Sequence, residues 1–380
     1  MECKYEKYCG GCNLLNLPYT KQLEAKQEYI EELLGKLHAV ERIIPCKITT
    51  NYRNKVQVAF GKDEKGRVIC GNYVPSTHFI VPVSDCLVND IRANEIIQTI
   101  KELINKYHIS IFDERVYKGC LRHIQIRCTK NDEYMVIFVT GSPTIYKKEL
   151  LIKDLLSKHP YIKTIIHNIN NKHTSMVLGD KSYVLYGSGY IQDILCGLKF
   201  NLSASSFYQI NKYQTETLYN TALNLAKLDK EDIAIDAYCG IGTISLCLAK
   251  RVKEVTGVEI NNRAIIDARR NAKLNNIENV NFICDDAGRY MEKLSRNRKA
   301  KIDVLCMDPP RAGASDKFLK SVLILSPKKI IYISCGPESL KSNLGYLIKH
   351  SYRIKLIQPI DMFPHTDIKH TETIAILERI

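Results

Sequence analysis

The most constraining feature of this sequence is a regular alternation of strand-like and helix-like segments in its C-terminal half. Short apolar runs typical of buried strands span residues 233–237, 255–259, 280–284, 302–308 and 329–334. Helical patterns cover residues 243–251, 262–275, 316–325 and 337–349. This alternation predicts an α/β fold, a parallel sheet with helices on both faces. The last two runs, 353–360 and 371–378, have no helical pattern between them and should pair as an antiparallel hairpin at the sheet's edge.

The preceding residues show two other patterns. From about residue 50 to 200, short alternating apolar runs are separated by Gly, Asn, Asp and Pro, which predicts a mostly antiparallel sheet with one or two helices. Before it, Pro18 to His38 has the apolar spacing of an amphipathic helix. We therefore expect three parts: an N-terminal arm (1–48), a central α+β domain (49–200) and a C-terminal α/β domain (201–380).

The chain carries a formal net charge of +14, and the surplus falls outside the first 48 residues. A basic surface attracts polyanions, which makes RNA or DNA the leading class of partner, and a merely solvated lysine-rich face is the alternative. Hydrophobic residues at 45% exclude a disordered chain. With no apolar stretch of about 18 residues and no basic, apolar leader, we expect a cytoplasmic protein and no membrane contact.

Cysteines are clustered near the N-terminus. Cys3, Cys9 and Cys12 form a C-x5-C-x2-C pattern, in which Gly10 and Gly11 let the backbone fold back. A fourth ligand would come from Cys86 or Cys46. Four thiolates suit tetrahedral zinc or a [4Fe–4S] cluster, and the spacing does not separate the two. Uncoordinated cysteines are the alternative interpretation.

A glycine-containing turn follows the first strand of the C-terminal half. Residues Asp236 to Thr243 read Asp-Ala-Tyr-Cys-Gly-Ile-Gly-Thr and precede a helix, and Glu259 ends the next strand. Glycine permits close approach of the backbone to a ligand, and a carboxylate at that distance can accept both ribose hydroxyls. Position 245 is Ser, so the full dinucleotide pattern is missing. An acidic loop suits a cationic adenosine ligand, which points to S-adenosylmethionine.

Titratable side chains follow the later strands. Asp308-Pro-Pro-Arg311 ends the fourth strand and Ser334-Cys335 the fifth, so both should reach one crevice. A thiol there, at a helix N-terminus, is a candidate nucleophile, and a buried structural cysteine is the alternative. Glu372 is an unusual residue for an apolar strand, and a role as proton acceptor would explain it.

Together these segments resemble the RNA uracil-5-methyltransferase family. The segments that carry the resemblance are Phe207-Tyr-Gln-Ile-Asn211, Asp236 to Thr243, Asp308 to Arg311, Ser334-Cys335, Pro364-His-Thr366 and His370-Thr-Glu372. The resemblance implies a Rossmann-like class I methyltransferase domain. It implies that Cys335 is the nucleophile, that Glu372 is the base, and that Phe207 stacks near the target base. Arg311 and His365 are implied substrate or positioning contacts. The implied contacts to S-adenosylmethionine are Gln209, Tyr238, Thr243, Glu259, Asp286 and Asp308.

The N-terminal cysteines extend the resemblance. Cys3, Cys9, Cys12 and Cys86 are similar to the four cluster ligands of the family's iron–sulfur members, which act mainly on 23S ribosomal RNA. This favours a [4Fe–4S] cluster over zinc and 23S rRNA over tRNA. Many ribosomal members begin with a small RNA-binding barrel, the TRAM domain, which we expect to be absent here, so RNA binding would fall to the central domain. We expect a monomer. The alternatives are a tRNA enzyme and a non-catalytic RNA-binding protein on the same scaffold.

Overall fold

The structure, a computed structural model, describes residues 2–297 and 299–380. The N-terminal arm contains one helical turn, α1 (Glu6–Cys9), and a longer helix, α2 (Tyr19–Leu34). α2 follows Pro18 and stops at Gly35, short of the predicted end at residue 38. Ile30 and Leu34 on its buried face pack into the core of the C-terminal domain. The arm is therefore fixed to the domain that follows last in the sequence.

The central domain is built on a seven-stranded sheet in the order β3-β2-β1-β4-β5-β6-β7. Its strands are β1 (Lys55–Lys62), β2 (Val68–Tyr73), β3 (Ile80–Pro82), β4 (Leu121–Cys128), β5 (Tyr134–Thr140), β6 (Ile162–Ile169) and β7 (Lys181–Gly187). Its helices are α3 (Ile91–Lys106) and α4 (Lys148–Lys158). Adjacent strands are antiparallel except β5 and β6, which run parallel and are connected through α4. This confirms the predicted mainly antiparallel α+β domain.

The two faces of the central sheet have different neighbours. Ile124 and Ile126 of β4 pack with α3 and α4. On the opposite face, Met135 and Ile137 of β5 join the core of the C-terminal part of the molecule. That core also receives a two-stranded hairpin, β8 (Tyr190–Leu195) with β9 (Leu198–Ser203), which crosses the expected boundary at residue 200.

The C-terminal domain is the predicted α/β fold, with the strand order β12-β11-β10-β13-β14-β16-β15. Its strands are β10 (Ile233–Ala237), β11 (Glu254–Glu259), β12 (Val280–Cys284), β13 (Val304–Met307), β14 (Lys329–Ser334), β15 (Tyr352–Ile360) and β16 (Glu372–Arg379). Its helices are α5 (Thr215–Leu225), α6 (Thr243–Ala249), α7 (Asn262–Leu274), α8 (Ala287–Ser295), α9 (Asp316–Leu325) and α10 (Pro337–Ile348). Strands β10 to β14 are parallel, and the order reverses between β10 and β13.

The structure adds three details to the expected C-terminal fold. β15 and β16 form the predicted antiparallel hairpin at the sheet's edge, in which β16 lies between β14 and β15. Helices α5 and α8 are additional, and the Asp286 side chain caps the first turn of α8 by accepting from Arg289 N at 2.9 Å. Among the described residues, no helix is long and apolar enough to cross a membrane.

Candidate active site

The register of β14 and β16 places Cys335 beside Glu372. Ser334, the last residue of β14, pairs with Thr373 in the antiparallel strand β16. The residues next to that pair, Cys335 and Glu372, therefore lie side by side where β14 ends. Cys335 is half-buried and immediately precedes the turn into α10. A thiol and a carboxyl are thus held at one point by strand pairing.

Burial keeps the Cys335 thiol protonated in the RNA-free protein. Burial raises the pKa of Cys335 to about 11, and the charges of Glu372 and Asp308 act in the same direction. The Arg311 guanidinium opposes them and lowers that pKa. The sequence predicted that the helix N-terminus would favour the thiolate, but burial and two nearby acids outweigh that effect here. Arg311 is exposed, so it can contact substrate while it favours the thiolate.

Glu372 is a buried acid whose environment suits proton transfer. Its residue is only 2% exposed, and Oε2 has no hydrogen-bond partner in residues 2–297 and 299–380. Burial raises its pKa to about 8, as does the charge of Asp308, while Arg311 lowers it. A carboxyl with a pKa near neutrality can accept a proton and release it again at physiological pH.

Asp308 lies in the same crevice and connects it to the central domain. Burial raises the pKa of Asp308 to about 7, and Gln209 opposes this by donating from Nε2 to Oδ2 at 3.5 Å. The Gln209 carbonyl accepts from Asn54 Nδ2 at 2.8 Å. Gln209 and Asp308, both assigned to ligand binding by resemblance, are therefore in contact. Asn54 of the central domain holds Gln209 in place.

The glycine turn after β10 has the geometry of a nucleoside site. Gly242 has φ +84°, and a Cβ built there would lie 2.8 Å from Phe282 Cζ. Any other residue at position 242 would therefore clash with Phe282 and distort the turn. The Glu259 carboxylate accepts from Gly240 N at 3.2 Å and from Asn261 N at 2.8 Å, which fixes it beside the turn. These residues fit the ribose of an adenosine ligand at the switch point between β10 and β13.

The other residues assigned to this ligand surround the turn. Tyr238 has φ +69°, and its pKa is raised to about 12 by burial and by the nearby charge of Asp286. Thr243 is buried at the start of α6, where its hydroxyl lies 3.2 Å from Tyr219 Oη. Asp286 is the cap of α8, and its charge acts on Tyr238. Sequence reasoning missed this capping role.

Phe207 projects from a loop that the central sheet holds in place. It is 67% exposed, so its ring is available for contact with a ligand. The buried Arg127 guanidinium donates to the carbonyls of Ser203 at 2.7 Å and Ser206 at 2.6 Å, just before Phe207. Sequence reasoning missed Arg127, although a charged residue in an apolar strand run was a usable signal.

His365, which the resemblance implies to be a substrate or positioning contact, lies in the interior of the protein. This residue is 4% exposed and lies under α2, where Gln22 Oε1 accepts from its backbone N–H at 2.9 Å and Gln22 Nε2 lies 3.1 Å from its Nδ1. Burial lowers its pKa. His365 therefore packs the arm against the C-terminal domain.

A buried ion pair that the sequence analysis missed lies next to His365. Lys26 Nζ is 2.7 Å from Asp361 Oδ1, and both side chains are fully buried. Tyr19 Oη donates to the other oxygen of Asp361 at 2.9 Å. The pair fixes the segment that leads from β15 to Glu372. Its only sequence signal was one lysine on the apolar face of a predicted helix.

The N-terminal cysteines are near one another but do not form a recognisable metal site. Burial raises the pKa of Cys12 to about 11, and the charges of Cys86, Cys9 and Cys3 act in the same direction. Asn72 Nδ2 donates to Cys9 Sγ at 3.2 Å. However, the described parts of the chain contain no group of three or more Cys, His, Asp or Glu side chains that could hold a metal ion. The predicted [4Fe–4S] site is therefore not supported.

Known proteins show the same fold. The fold and site define a Rossmann-like methyltransferase that uses S-adenosylmethionine. A crystal structure of the Pyrococcus abyssi tRNA (uracil-54, C5)-methyltransferase with S-adenosyl-L-homocysteine is 29% identical, with a TM-score of 0.80, over 96% of this chain and 85% of that one. The chain belongs to the tRNA (uracil-5-)-methyltransferase family, whose model matches residues 18–380.

Two bacterial relatives extend over nearly the whole chain. An uncharacterized RNA methyltransferase of Bacillus cereus (strain ATCC 10987 / NRS 248) is 38% identical over 100% of this chain and 83% of its own length. One of Clostridium tetani (strain Massachusetts / E88) is 40% identical over 99% of this chain and 82% of its own length. Both names agree with an enzyme that methylates RNA, as the resemblance predicted.

Proposed function

We propose that this protein methylates C5 of a uridine in RNA through a covalent bond between Cys335 and the base. The observation that carries the proposal is the pairing of Ser334 with Thr373, which sets Cys335 beside Glu372. Uracil C5 is a weak nucleophile, so the Cys335 thiol first loses its proton to water and the thiolate adds to C6, while the electron pair of the C5–C6 double bond moves into an enolate that makes C5 nucleophilic. Arg311 supports this step because its charge favours the thiolate.

Glu372 completes the reaction. When bound, S-adenosylmethionine supplies the methyl group that C5 takes up. Glu372 then accepts the C5 proton, the electron pair of that C–H bond re-forms the C5–C6 double bond, and the C6–S bond breaks to release Cys335 as a thiolate. The buried carboxyl is suited to this step because its pKa of about 8 lets it be ionised in part at neutral pH.

The remaining site residues position the two reactants. Glu259 would bind the ribose hydroxyls, and Gln209 and Asp308 would face the reacting end of the methyl donor. Phe207, which is exposed two residues before Gln209, would stack on the target uridine once that base leaves its own stack. Because the base must be extruded, a looped or unpaired stretch of RNA is the expected substrate.

The substrate proposed is 23S rRNA, on the resemblance of Cys3, Cys9, Cys12 and Cys86 to the ribosomal branch. The family model and the archaeal neighbour are both named for tRNA, which makes tRNA the second candidate. Purified protein should be incubated with labelled S-adenosylmethionine and with either RNA, and methyluridine mapped by mass spectrometry. Methyluridine in 23S rRNA alone is expected, whereas methyluridine in tRNA alone would overturn the substrate assignment. Cys335→Ala is the matched negative control.

A [4Fe–4S] cluster held by Cys3, Cys9, Cys12 and Cys86 stays a proposal that rests on the sequence resemblance. Asn72 donates to Cys9 Sγ, and the backbone N–H groups of Val88 and Asn89 lower the pKa of Cys86, although burial raises it overall. Donors of this kind stabilise cluster thiolates. Protein purified without oxygen should contain iron and absorb near about 400 nm. Cys86→Ala should lose both signals, and the control Cys46→Ala should keep them. Zinc in colourless wild-type protein would contradict the cluster.

A further inference from the structure

The β8–β9 hairpin presents an outer face next to the loop that carries Phe207. Alternate residues of the two strands, such as Ile191 and Phe200, pack into the core. The residues between them therefore face outwards, and Tyr190 and Lys199 are exposed there. The hairpin thus has one buried face and one face that is open to solvent.

Helix α7 lies along the edge of β9 and continues this outer face. Asn271 Oδ1 accepts from Asn201 N at 2.8 Å, and Asn275 Oδ1 accepts from Lys199 N at 2.8 Å. Asn275 Nδ2 also donates to the Lys199 carbonyl at 2.7 Å. Because Asn271 and Asn275 are about one helical turn apart, the same side of the helix is bonded to the strand at both points. β9 and α7 therefore meet in a seam that hydrogen bonds hold together.

The exposed side of α7 is basic. The helix carries Arg263, Arg269, Arg270 and Lys273 against a single acid, Asp267. Arg263, Arg270 and Lys273 recur at helical spacing, so they line one side of the helix. The Arg270 side chain is 69% exposed, and its Nη1 lies 3.8 Å from Asp267 Oδ1, which is beyond hydrogen-bond distance. Accessible positive charge is therefore concentrated along this part of the surface.

The seam ends at the loop that carries Phe207. Asp267 Oδ2 accepts from Ser203 Oγ at 2.7 Å and from Ser206 Oγ at 3.0 Å. Ser206 immediately precedes Phe207, and Ser203 pairs across the hairpin with Tyr190. Tyr190 is 42% exposed and Phe207 is 67% exposed, so both rings are accessible. A strand of RNA with one base on Phe207 can therefore continue onto the seam.

We propose that this surface, called the seam surface below, binds the unpaired RNA that adjoins the target uridine. It consists of Tyr190, Lys199, Asn201, Arg263, Arg270 and Lys273. Its arginines and lysines bind phosphates, and the Tyr190 ring stacks on a base next to the one at Phe207. The proposal rests on the proposed function and adds the path of the RNA strand outside the crevice. Exposed rings beside exposed cations match an unpaired RNA strand, which offers bases and phosphates together.

Arg270→Gln tests the phosphate contacts without methyl transfer. The probe is an oligouridylate of about 16 nucleotides, titrated by fluorescence anisotropy at several salt concentrations. The variant should bind it roughly 2- to 10-fold more weakly, and the slope of log K against log salt should fall by about 0.7, the loss of one phosphate contact. Arg353→Gln removes the same charge from β15, at the other edge of the C-terminal sheet, and should change neither quantity.

Tyr190→Ala tests the stacking contact with the same probe. It should bind roughly 5- to 100-fold more weakly, which is the loss of one stacked base. Tyr190→Phe keeps the ring and should bind as the wild type does. Tyr146→Ala removes an exposed tyrosine from the central domain and should also leave binding unchanged. Melting temperatures should match that of the wild type in all of these variants, because the substituted side chains are exposed.

The outcomes separate this inference from its alternatives. Equal affinity and equal salt slope for Arg270→Gln and the wild type would overturn it, and so would an equal loss in Arg353→Gln, since net charge would then explain both. Loss of binding to poly-L-glutamate in place of the oligouridylate would assign the seam surface to an acidic protein. Seam variants that behave as expected in a protein that forms no methyluridine would contradict the proposed function alone. Methyluridine formed by a protein whose seam variants bind normally would overturn this inference alone.

Discussion

At the residue scale, buried acids set the chemistry of the crevice. The pKa values of Asp236 and Asp308 are raised to about 7 and that of Glu372 to about 8, mainly because burial disfavours the charged form. Ser245 stabilises the Asp236 carboxylate, with its Oγ donating at 2.6 Å. Ser245 stands where a dinucleotide-binding sequence has its third glycine, so the departure from that pattern has a structural reason.

Arg311→Gln should shift the pH dependence of methyl transfer to higher pH. Arg311 lowers the pKa values of both Cys335 and Glu372, so its loss raises both, and each group must lose its proton to react. Single-turnover rates across pH 6 to 10 measure the shift. Arg353→Gln, which removes an exposed arginine on β15, is the control. An unchanged profile in Arg311→Gln would show that the guanidinium does not reach the reacting groups.

Glu372→Gln should stabilise the folded protein at alkaline pH. The folded-state pKa of Glu372, about 8, exceeds its ordinary value, so the stability this carboxyl contributes is present at low pH and lost as the pH rises through 8. At pH 8 the free energy of unfolding of the variant should therefore exceed that of the wild type by about 1–3 kcal/mol, and the variant should melt at a higher temperature. The difference in stability between the variant and the wild type should be smaller at pH 5. A variant less stable than the wild type at pH 8 would contradict this.

Glu259→Ala should weaken binding of S-adenosylmethionine by about 1.5–3 kcal/mol, the loss of charge-assisted hydrogen bonds to the ribose. Calorimetric titration measures it. Glu254 begins the same strand but is exposed, so Glu254→Ala is the matched control. Equal affinities for the two variants would show that Glu259 serves only the turn at Gly240 and Asn261.

At the element scale, α2 holds the segment between β15 and β16. Lys26 reaches from the buried face of α2 to Asp361 and to the Phe363 carbonyl at 2.9 Å. Gln22 adds the bonds to His365. This helix therefore positions the chain that enters β16 at Glu372, although it lies more than 300 residues earlier in the sequence.

Lys26→Met should destabilise the protein by about 3–5 kcal/mol, because Asp361 is left buried without its counter-charge. Thermal melting measures the loss, and activity should fall with it as the approach to Glu372 loosens. Lys21→Met is the control, since Lys21 is exposed and pairs with Glu24 in the same helix. Matching melting temperatures for the two variants would contradict the anchoring role of α2.

Periodicity predicted the alternating elements of the C-terminal domain, because buried parallel strands and amphipathic helices leave strong local patterns. Insertion of β16 between β14 and β15 was not predictable in this way, since strand order depends on contacts distant in sequence. Helix α8 was missed because Asp286 was interpreted as a ligand contact and not as a cap. The burial of His365 depends on α2, an element that the local sequence around residue 365 does not reveal.

At the scale of the whole molecule, three parts of the chain meet at one crevice. The C-terminal domain supplies Cys335 and Glu372, the central domain holds Gln209 through Asn54, and the arm fixes the approach to β16 through Lys26. Sequence motifs predicted the contribution of the C-terminal domain. The contributions of the central domain and the arm depend on contacts between distant parts of the chain, so no single motif could predict them.

The central claim is that Cys335 and Glu372 act in successive steps, and a trapped adduct tests it most directly. Glu372→Gln should add to uracil C6 but fail to remove the C5 proton, so protein and RNA stay joined through denaturing electrophoresis. Cys335→Ala should bind RNA and form neither adduct nor methyluridine. A Glu372→Gln protein that turns over at the wild-type rate without accumulating the adduct, or a Cys335→Ala protein that still methylates C5, would contradict the account.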